Sequence, residues 1–165
     1  MDHLIENILR YSSIEDGNIQ NQELDLQELV SDIIELIYVP EHITINILTK
    51  LPVTYGDRTR IQQVFQNLLS NAVNYIDKEK GFVEIDYTEN TTHYTFSIKD
   101  NGIGIEKEHH QRIFKIFNAL GTHEKSTGVG LSIVKKVIDL YEGEIWLDSE
   151  VGKGTVFFFS LKKQS

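Results

Sequence analysis

Residues 57–76 read DRTRIQQVFQNLLSNAVNYI. Ile61, Val64, Phe65, Leu68, Leu69, Ala72, Val73 and Ile76 recur with a sustained 3.6-residue period, so the stretch predicts a long amphipathic helix. Asp57 stands just ahead of it as the predicted N-cap, where a short carboxylate accepts one of the orphan N–H groups of the first turn. On the N-terminal side, Ile43, Ile45 and Ile47 alternate and predict a strand with one buried face. Before them, Leu26, Leu29, Val30, Ile33, Ile34 and Ile37 predict another helix ended by Pro40, preceded by a strand near 22–26. Leu4, Ile5, Ile8, Leu9 and Tyr11 predict an opening helix that stops near Glu15-Asp16-Gly17-Asn18.

On the C-terminal side, two strands alternate through Val83, Ile85, Tyr87 and through Tyr94, Phe96, Ile98. A glycine-rich turn, a short helix ending near Phe117 and a polar loop to Thr127 follow. A helix over about 128–141, closed by Gly143, leads into a hairpin of strands 145–149 and 155–161 around Gly152 and Gly154. Helices do not alternate strictly with strands. The expected fold is α+β, a two-layer α/β sandwich with a mixed, mainly antiparallel sheet and about three helices on one face. A parallel doubly wound sheet is the alternative.

Composition limits the function classes. A chain of 165 residues that is 40% hydrophobic can bury a core as one domain. With 16 Lys plus Arg against 25 Asp plus Glu the net charge is -9, the wrong sign for a nucleic-acid partner. The absence of cysteine excludes disulfides, zinc–cysteine sites and thiol catalysis, and fits a reducing compartment. No apolar run reaches the roughly 20 residues of a membrane span. The expected location is cytoplasmic, with membrane anchoring of a full-length protein left open. The opening residues already read as helix, so the chain is expected to continue a longer protein.

Three features point to chemistry. Gln63, Asn67, Asn71 and Asn74 share one face of the long helix, although asparagine is a mediocre helix former. They form either a solvated polar face or a row of neutral ligands for a hard cation or a polar molecule. Asp100 continues the inward register Tyr94, Phe96, Ile98 and precedes Asn101-Gly102-Ile103-Gly104. It either caps its own turn or accepts from the amino group of a flat base that glycines allow close to the backbone. Gly128 and Gly130 open a helix, which suits phosphate but also describes an ordinary flexible turn. Their spacing matches neither the dinucleotide fingerprint nor the lysine-containing phosphate loop.

In order and spacing the three features resemble the histidine-kinase ATP-binding domain of the GHKL superfamily. Residues 66–75 match its N box, 100–105 its first glycine box, 112–117 its F box and 127–135 its second glycine box, and Ser149 and residues 152–157 also resemble its tail. The resemblance implies a Bergerat-type sandwich that binds ATP with Mg²⁺. It implies a nucleotide site of Asn67, Asn71, Asn74, Tyr75, Asp100, Gly102, Gly104, Lys125, Thr127, Gly128, Val129, Gly130 and Leu131. Asn71 would be the catalytic Mg²⁺ ligand, Asp100 the acceptor from adenine, and Phe114 and Phe117 the anchors of a lid. Asn74, Ala119 and Ser126 stand where the family often has Lys, Arg and Gly, leaving Lys115, His123 and Lys125 as nearby cations. None of the six histidines has the family's phosphoacceptor context. Residues 1–17 are therefore expected to be a stub of the dimerisation helix and 18–165 the catalytic domain. The implied partners are the dimerisation and phosphoacceptor domain of the same protein, in a homodimer, and a downstream response regulator.

Overall fold

The computed structural model describes residues 19–114 and 130–164. Strand β1 (Asn21–Asp25) leads into helix α1 (Leu26–Leu36), then β2 (Ile43–Ile47) and β3 (Val53–Asp57). Helix α2 (Arg58–Asn74) is followed by β4 (Gly81–Glu89) and β5 (His93–Asp100). Two 3-10 turns, Lys107–His109 and Arg112–Phe114, precede α3 (Gly130–Leu140) and the hairpin of β6 (Ile145–Glu150) and β7 (Gly154–Lys162). The opening helix expected before Gly17 and the F-box residue Phe117 lie outside the described residues. Up to Phe114 the expected short helix takes the form of the two 3-10 turns.

The main sheet has the order β2-β4-β5-β7-β6, with β2 parallel to β4 and every other pair antiparallel. It is therefore the mixed, mainly antiparallel sheet that the sequence predicts, and the doubly wound alternative falls. β1 and β3 form a separate antiparallel pair. The sequence reading missed β3, whose alternating apolar residues Val53 and Tyr55 point out to solvent. The three helices cover one sheet face, with α2 packed on β4 and β5, α3 on β7, and α1 against α2.

Registers make the inner sheet face a set of rows. One row is Tyr87, Phe96, Phe159 and Ile145. The next is apolar across all five strands: Ile47, Ile85, Ile98, Phe157 and Leu147. The third begins with Ile45 and Val83 and then turns polar, with Asp100, Thr155 and Ser149. α2 is seated on the first row by Phe65, whose ring meets Phe96 and Phe159 edge-on at 5.4 and 5.3 Å between centroids. All three rings are fully buried.

Capping follows from the sequence. Asp57 caps α2, its carboxylate accepting from Arg60 N–H at 3.2 Å, as predicted. Its other oxygen accepts from Gln20 N–H at 2.9 Å, and its own N–H donates to the Tyr141 hydroxyl at 2.7 Å. That hydroxyl donates to Asn21 Oδ1, so the entering chain, the start of α2 and the end of α3 share one polar node. α3 closes with Glu142 N–H on the Asp139 carbonyl and Gly143 N–H on the Ile138 carbonyl. The left-handed residue is Glu142 (φ 53), and Gly143 is a glycine because a Cβ there would collide with the Ser160 carbonyl.

Replacing Phe65 by Ala empties a slot between two fixed rings. Chemical denaturation should show a loss of about 3–5 kcal/mol with an unchanged denaturant slope.

Candidate functional site

α2 carries the site because its two sides are decided separately. At 100° per residue, Gln63, Asn67, Asn71 and Asn74 lie on the side turned away from Phe65 and the sheet. The outer side of a helix on a sheet is ordinarily open to water, yet all four are only half-exposed. Asn67 is covered by the start of α3: a Cβ on Gly130 would lie 2.8 Å from Asn67 Oδ1. Asn67 is held in place by its amide, which donates to the Gln63 carbonyl at 2.7 Å. The side chain of Asn71, one turn further on, has no hydrogen-bond partner among the described residues. Its oxygen is thus available to a hard cation, and neutral oxygen is the donor type such an ion accepts.

The other end of α2 meets the loop after β5. The Tyr75 carbonyl, left over at the helix end, accepts from Ile103 N–H at 3.0 Å. A Cβ on Gly102 would stand 2.6 Å from that carbonyl oxygen and 2.8 Å from Asp100 Oδ1. Gly104 adopts φ 77 and packs on the Glu150 carbonyl and Val151. The first glycine box was expected to make room for a ligand. What fills the space beside both glycines is this chain's own backbone, so they seat the loop between α2 and the β6–β7 turn. Asn101 fixes the loop from a third side, accepting from Phe82 N–H at 2.8 Å and donating to the Lys80 carbonyl at 2.9 Å.

Asp100 lies where the sequence register puts it, on the buried face, 6% exposed. Its Oδ1 accepts from Gly102 N–H at 2.8 Å. Burial pushes its carboxyl up to about 6, against the pull of the Gly102 and Thr155 N–H groups and of Lys78. A buried carboxylate whose two N–H partners do not offset its burial suits a ligand that brings a further N–H. From Asn67 to Tyr75 the face of α2 spans roughly 12 Å of helix axis, linking the start of α3 to Asp100.

Thr155 and Ser149 were not among the expected site residues, although both were noted in the tail. They extend the polar row from Asp100, and Thr155 is 5% exposed. Period-two reading would have found them. Phe157, Phe159 and Leu161 put Thr155 on the inward face, and Ile145 and Leu147 do the same for Ser149. Ser149 Oγ accepts from Ile105 N–H at 2.8 Å, donates to the Gly154 carbonyl at 2.9 Å and lies 2.7 Å from Thr155 Oγ1.

Leu131, next to Gly130, packs half-buried on the core. Lys125, Thr127, Gly128 and Val129 lie outside the described residues, as do Lys115, Ala119, His123 and Ser126. The flanks of that segment are joined: the Ser132 hydroxyl donates to the Phe114 carbonyl at 2.9 Å, and Phe114 packs edge-on to Phe157. A separate cluster at the surface, Glu106, Glu108 and His109, brings one ligand atom from each residue within 4.8 Å. No helix among the described residues is long and apolar enough to cross a membrane.

Residues 56–165 match the family described as histidine kinase-, DNA gyrase B-, and HSP90-like ATPase. The chain is 38% identical over 169 residues to cyanobacterial phytochrome B of Nostoc sp., a match covering 98% of this chain and 22% of that protein. The chain thus spans about a fifth of the length of the first curated relatives it matches. Among solved structures, the nucleotide-free catalytic domain of the histidine kinase ThkA superimposes with a TM-score of 0.74 at 30% identity, covering 88% of this chain and 99% of that one. ThkA in complex with the response regulator protein TrrA gives 0.77 at 26% identity, covering 99% and 47%.

The raised carboxyl has a signed consequence for stability. A group that is easier to protonate in the folded state favours folding below its unfolded value and loses that contribution as pH rises through about 6. Asp100→Asn does not titrate. Its unfolding free energy relative to the parent chain should therefore improve between pH ~4 and pH ~7 by up to about 3 kcal/mol. Denaturant titrations of both proteins at the two pH values measure that difference.

Proposed function

This chain belongs to the histidine kinase-, DNA gyrase B-, and HSP90-like ATPase family, and from that premise we propose that it is the ATP-binding catalytic domain of a two-component sensor histidine kinase. The observation that carries the reading is the buried Asp100 carboxylate at the polar end of an otherwise apolar row. It takes the Gly102 and Thr155 N–H groups and, buried, has room to accept one more donor. In this reading it accepts from the exocyclic amino group of adenine, with Tyr75, Gly102 and Gly104 framing the base.

The phosphates then run along the outer face of α2, past Asn74 toward Asn67 and the start of α3. Gly130 and Leu131 belong to that helix start, and Lys125, Thr127, Gly128 and Val129 belong to the segment before it. The Asn71 amide, without a hydrogen-bond partner among the described residues, fits a Mg²⁺ ligand, since the ion takes few protein oxygens and several from phosphate. Mg²⁺ bound there supplies charge neutralisation for the transferring phosphoryl group. The chain's own contribution is positioning: a base clamp at one end of α2 and a phosphate cradle at the other.

The phosphoryl acceptor is a histidine outside this chain, on a dimerisation helix whose end is residues 1–17, with 18–165 as the catalytic domain. A homodimeric, cytoplasmic kinase unit and a response regulator downstream complete the proposal, and the ThkA complex with TrrA supports that kind of partner. Transfer is favoured over hydrolysis because Gln63, Asn67, Asn71 and Asn74 include no carboxylate to activate water.

Two measurements test the site. Calorimetry with Mg-ATP should show Asp100→Asn weakening binding by roughly 1.5–3 kcal/mol. In the parent chain, affinity should fall up to about tenfold from pH 7 to pH 5, as the carboxyl takes up its proton, and the substitution should abolish that slope. Unchanged affinity in a folded variant removes Asp100 from the site. Separately, Asn71→Ala should leave nucleotide binding indifferent to Mg²⁺, and the full-length parent carrying it should form no phosphohistidine. A variant that still responds to Mg²⁺ holds the ion elsewhere.

A further inference from the structure

Tyr141, the residue after α3, joins three elements and is 4% exposed. Its carbonyl accepts from Lys162 N–H at 3.1 Å, which pins the end of α3 to the end of β7. An N–H can only donate, so the Tyr141 hydroxyl receives the Asp57 N–H on a lone pair at 2.7 Å and sends its own proton to Asn21 Oδ1 at 3.1 Å. Asp57 is the N-cap of α2, and its N–H lies outside that helix's own ladder. The bond is therefore a cross-tie between the start of α2 and the end of α3. Apolar packing of Ile133, Val134, Val137 and Ile138 holds α3 down without direction, and the hydroxyl adds direction.

The other end of this helix pair is the phosphate end of the site. With a rise of about 1.5 Å per residue, roughly 15 Å of α2 separates Asp57 from Asn67, and roughly 16 Å of α3 separates Tyr141 from Gly130. The helices thus run antiparallel, tied by the hydroxyl at one end and meeting at the other, where a Cβ on Gly130 would lie 2.8 Å from Asn67 Oδ1. That meeting has no room for a methyl group, so a shift of α3 toward α2 displaces Asn67. The base end is held separately. The loop after Asp100 is fastened to Tyr75, Lys80, Phe82 and Ser149, none of them on α3.

We infer that Tyr141 is a positioning residue for the phosphate end of the site, its hydroxyl setting the spacing of α2 and α3 and through it the gap between Asn67 and Gly130. The inference rests on the nucleotide reading above and deepens it. Tyr141→Phe keeps the ring and removes the tie. It should lower Mg-ATP affinity, measured by calorimetry, by about fivefold or more. It should leave adenosine affinity, measured by chemical-shift titration, unchanged, since adenosine carries a base and no phosphate. A merely structural role costs stability alone, or loosens the site and weakens both ligands alike. Either result in a folded variant overturns the inference and leaves nucleotide binding standing. Should Tyr141→Phe fail to fold, hydrogen exchange of the Asp57 amide in the unmodified chain decides. With each ligand at the same multiple of its dissociation constant, global stabilisation is equal, so Mg-ATP should slow that amide more than adenosine does. Equal slowing overturns the inference. Binding of neither ligand by the unmodified chain overturns the functional reading and the inference with it.

Discussion

The seating of Phe65 between Phe96 and Phe159 is the constraint on which the rest of the structure depends. A ring held edge-on by two other rings cannot roll, so the azimuth of α2 is fixed along its whole length. Helical geometry then dictates where every other residue of α2 points. Leu68, Leu69, Ala72 and Val73 go down into the core, and Asn67 turns outward to the start of α3 with Asn71 one turn further along the same face. Remove the wedge and the polar stripe has no assigned direction.

The second constraint is that polar groups at the rim of an apolar sheet face need partners. The chain meets it with a loop fastened at three points. Asn101 ties the loop to Lys80 and Phe82 at the start of β4. Ile103 ties it to the end of α2, and Ser149 takes the N–H of Ile105. Glycine is required at 102 and 104 because backbone from α2 and from the β6–β7 turn occupies the Cβ positions. A loop so fastened holds the Asp100 carboxylate in a place it would otherwise leave, and this is preorganisation in the physical sense: the cost of burying the charge is met in folding, before any ligand arrives.

Much of this was legible in the sequence, and the reasons it was legible are local. The Asp57 cap, the apolar period of α2 and the inward register of Asp100 each depend on spacing within one element, and spacing is what a sequence displays. β3 was hidden because Val53 and Tyr55 alternate outward and its partner β1 lies more than 25 residues upstream, so no local pattern marks the pair. Thr155 and Ser149 carried the same period-two signal as Asp100 but lack its charge, and a threonine or serine at a strand end draws no notice alone. The glycines were visible as glycines. Their reason was not, because it lies in contacts with Tyr75 and Glu150 from other parts of the chain.

The position of β7 bears on how the chain is made. It is the last strand in sequence, yet it lies inside the sheet between β5 and β6. Its Phe159 supplies one of the two rings that hold Phe65. A ribosome releases residues in order, so α2, β4 and β5 emerge while their central neighbour is still unsynthesised. During that interval β5 presents an unpaired edge and α2 an unfilled slot, both of which attract other chains. The sheet cannot close until Lys162 has cleared the exit tunnel and the hairpin can enter the gap. The 165 residues carry a net charge of -9, and an acidic excess of this kind sets like-charge repulsion against association with neighbouring chains.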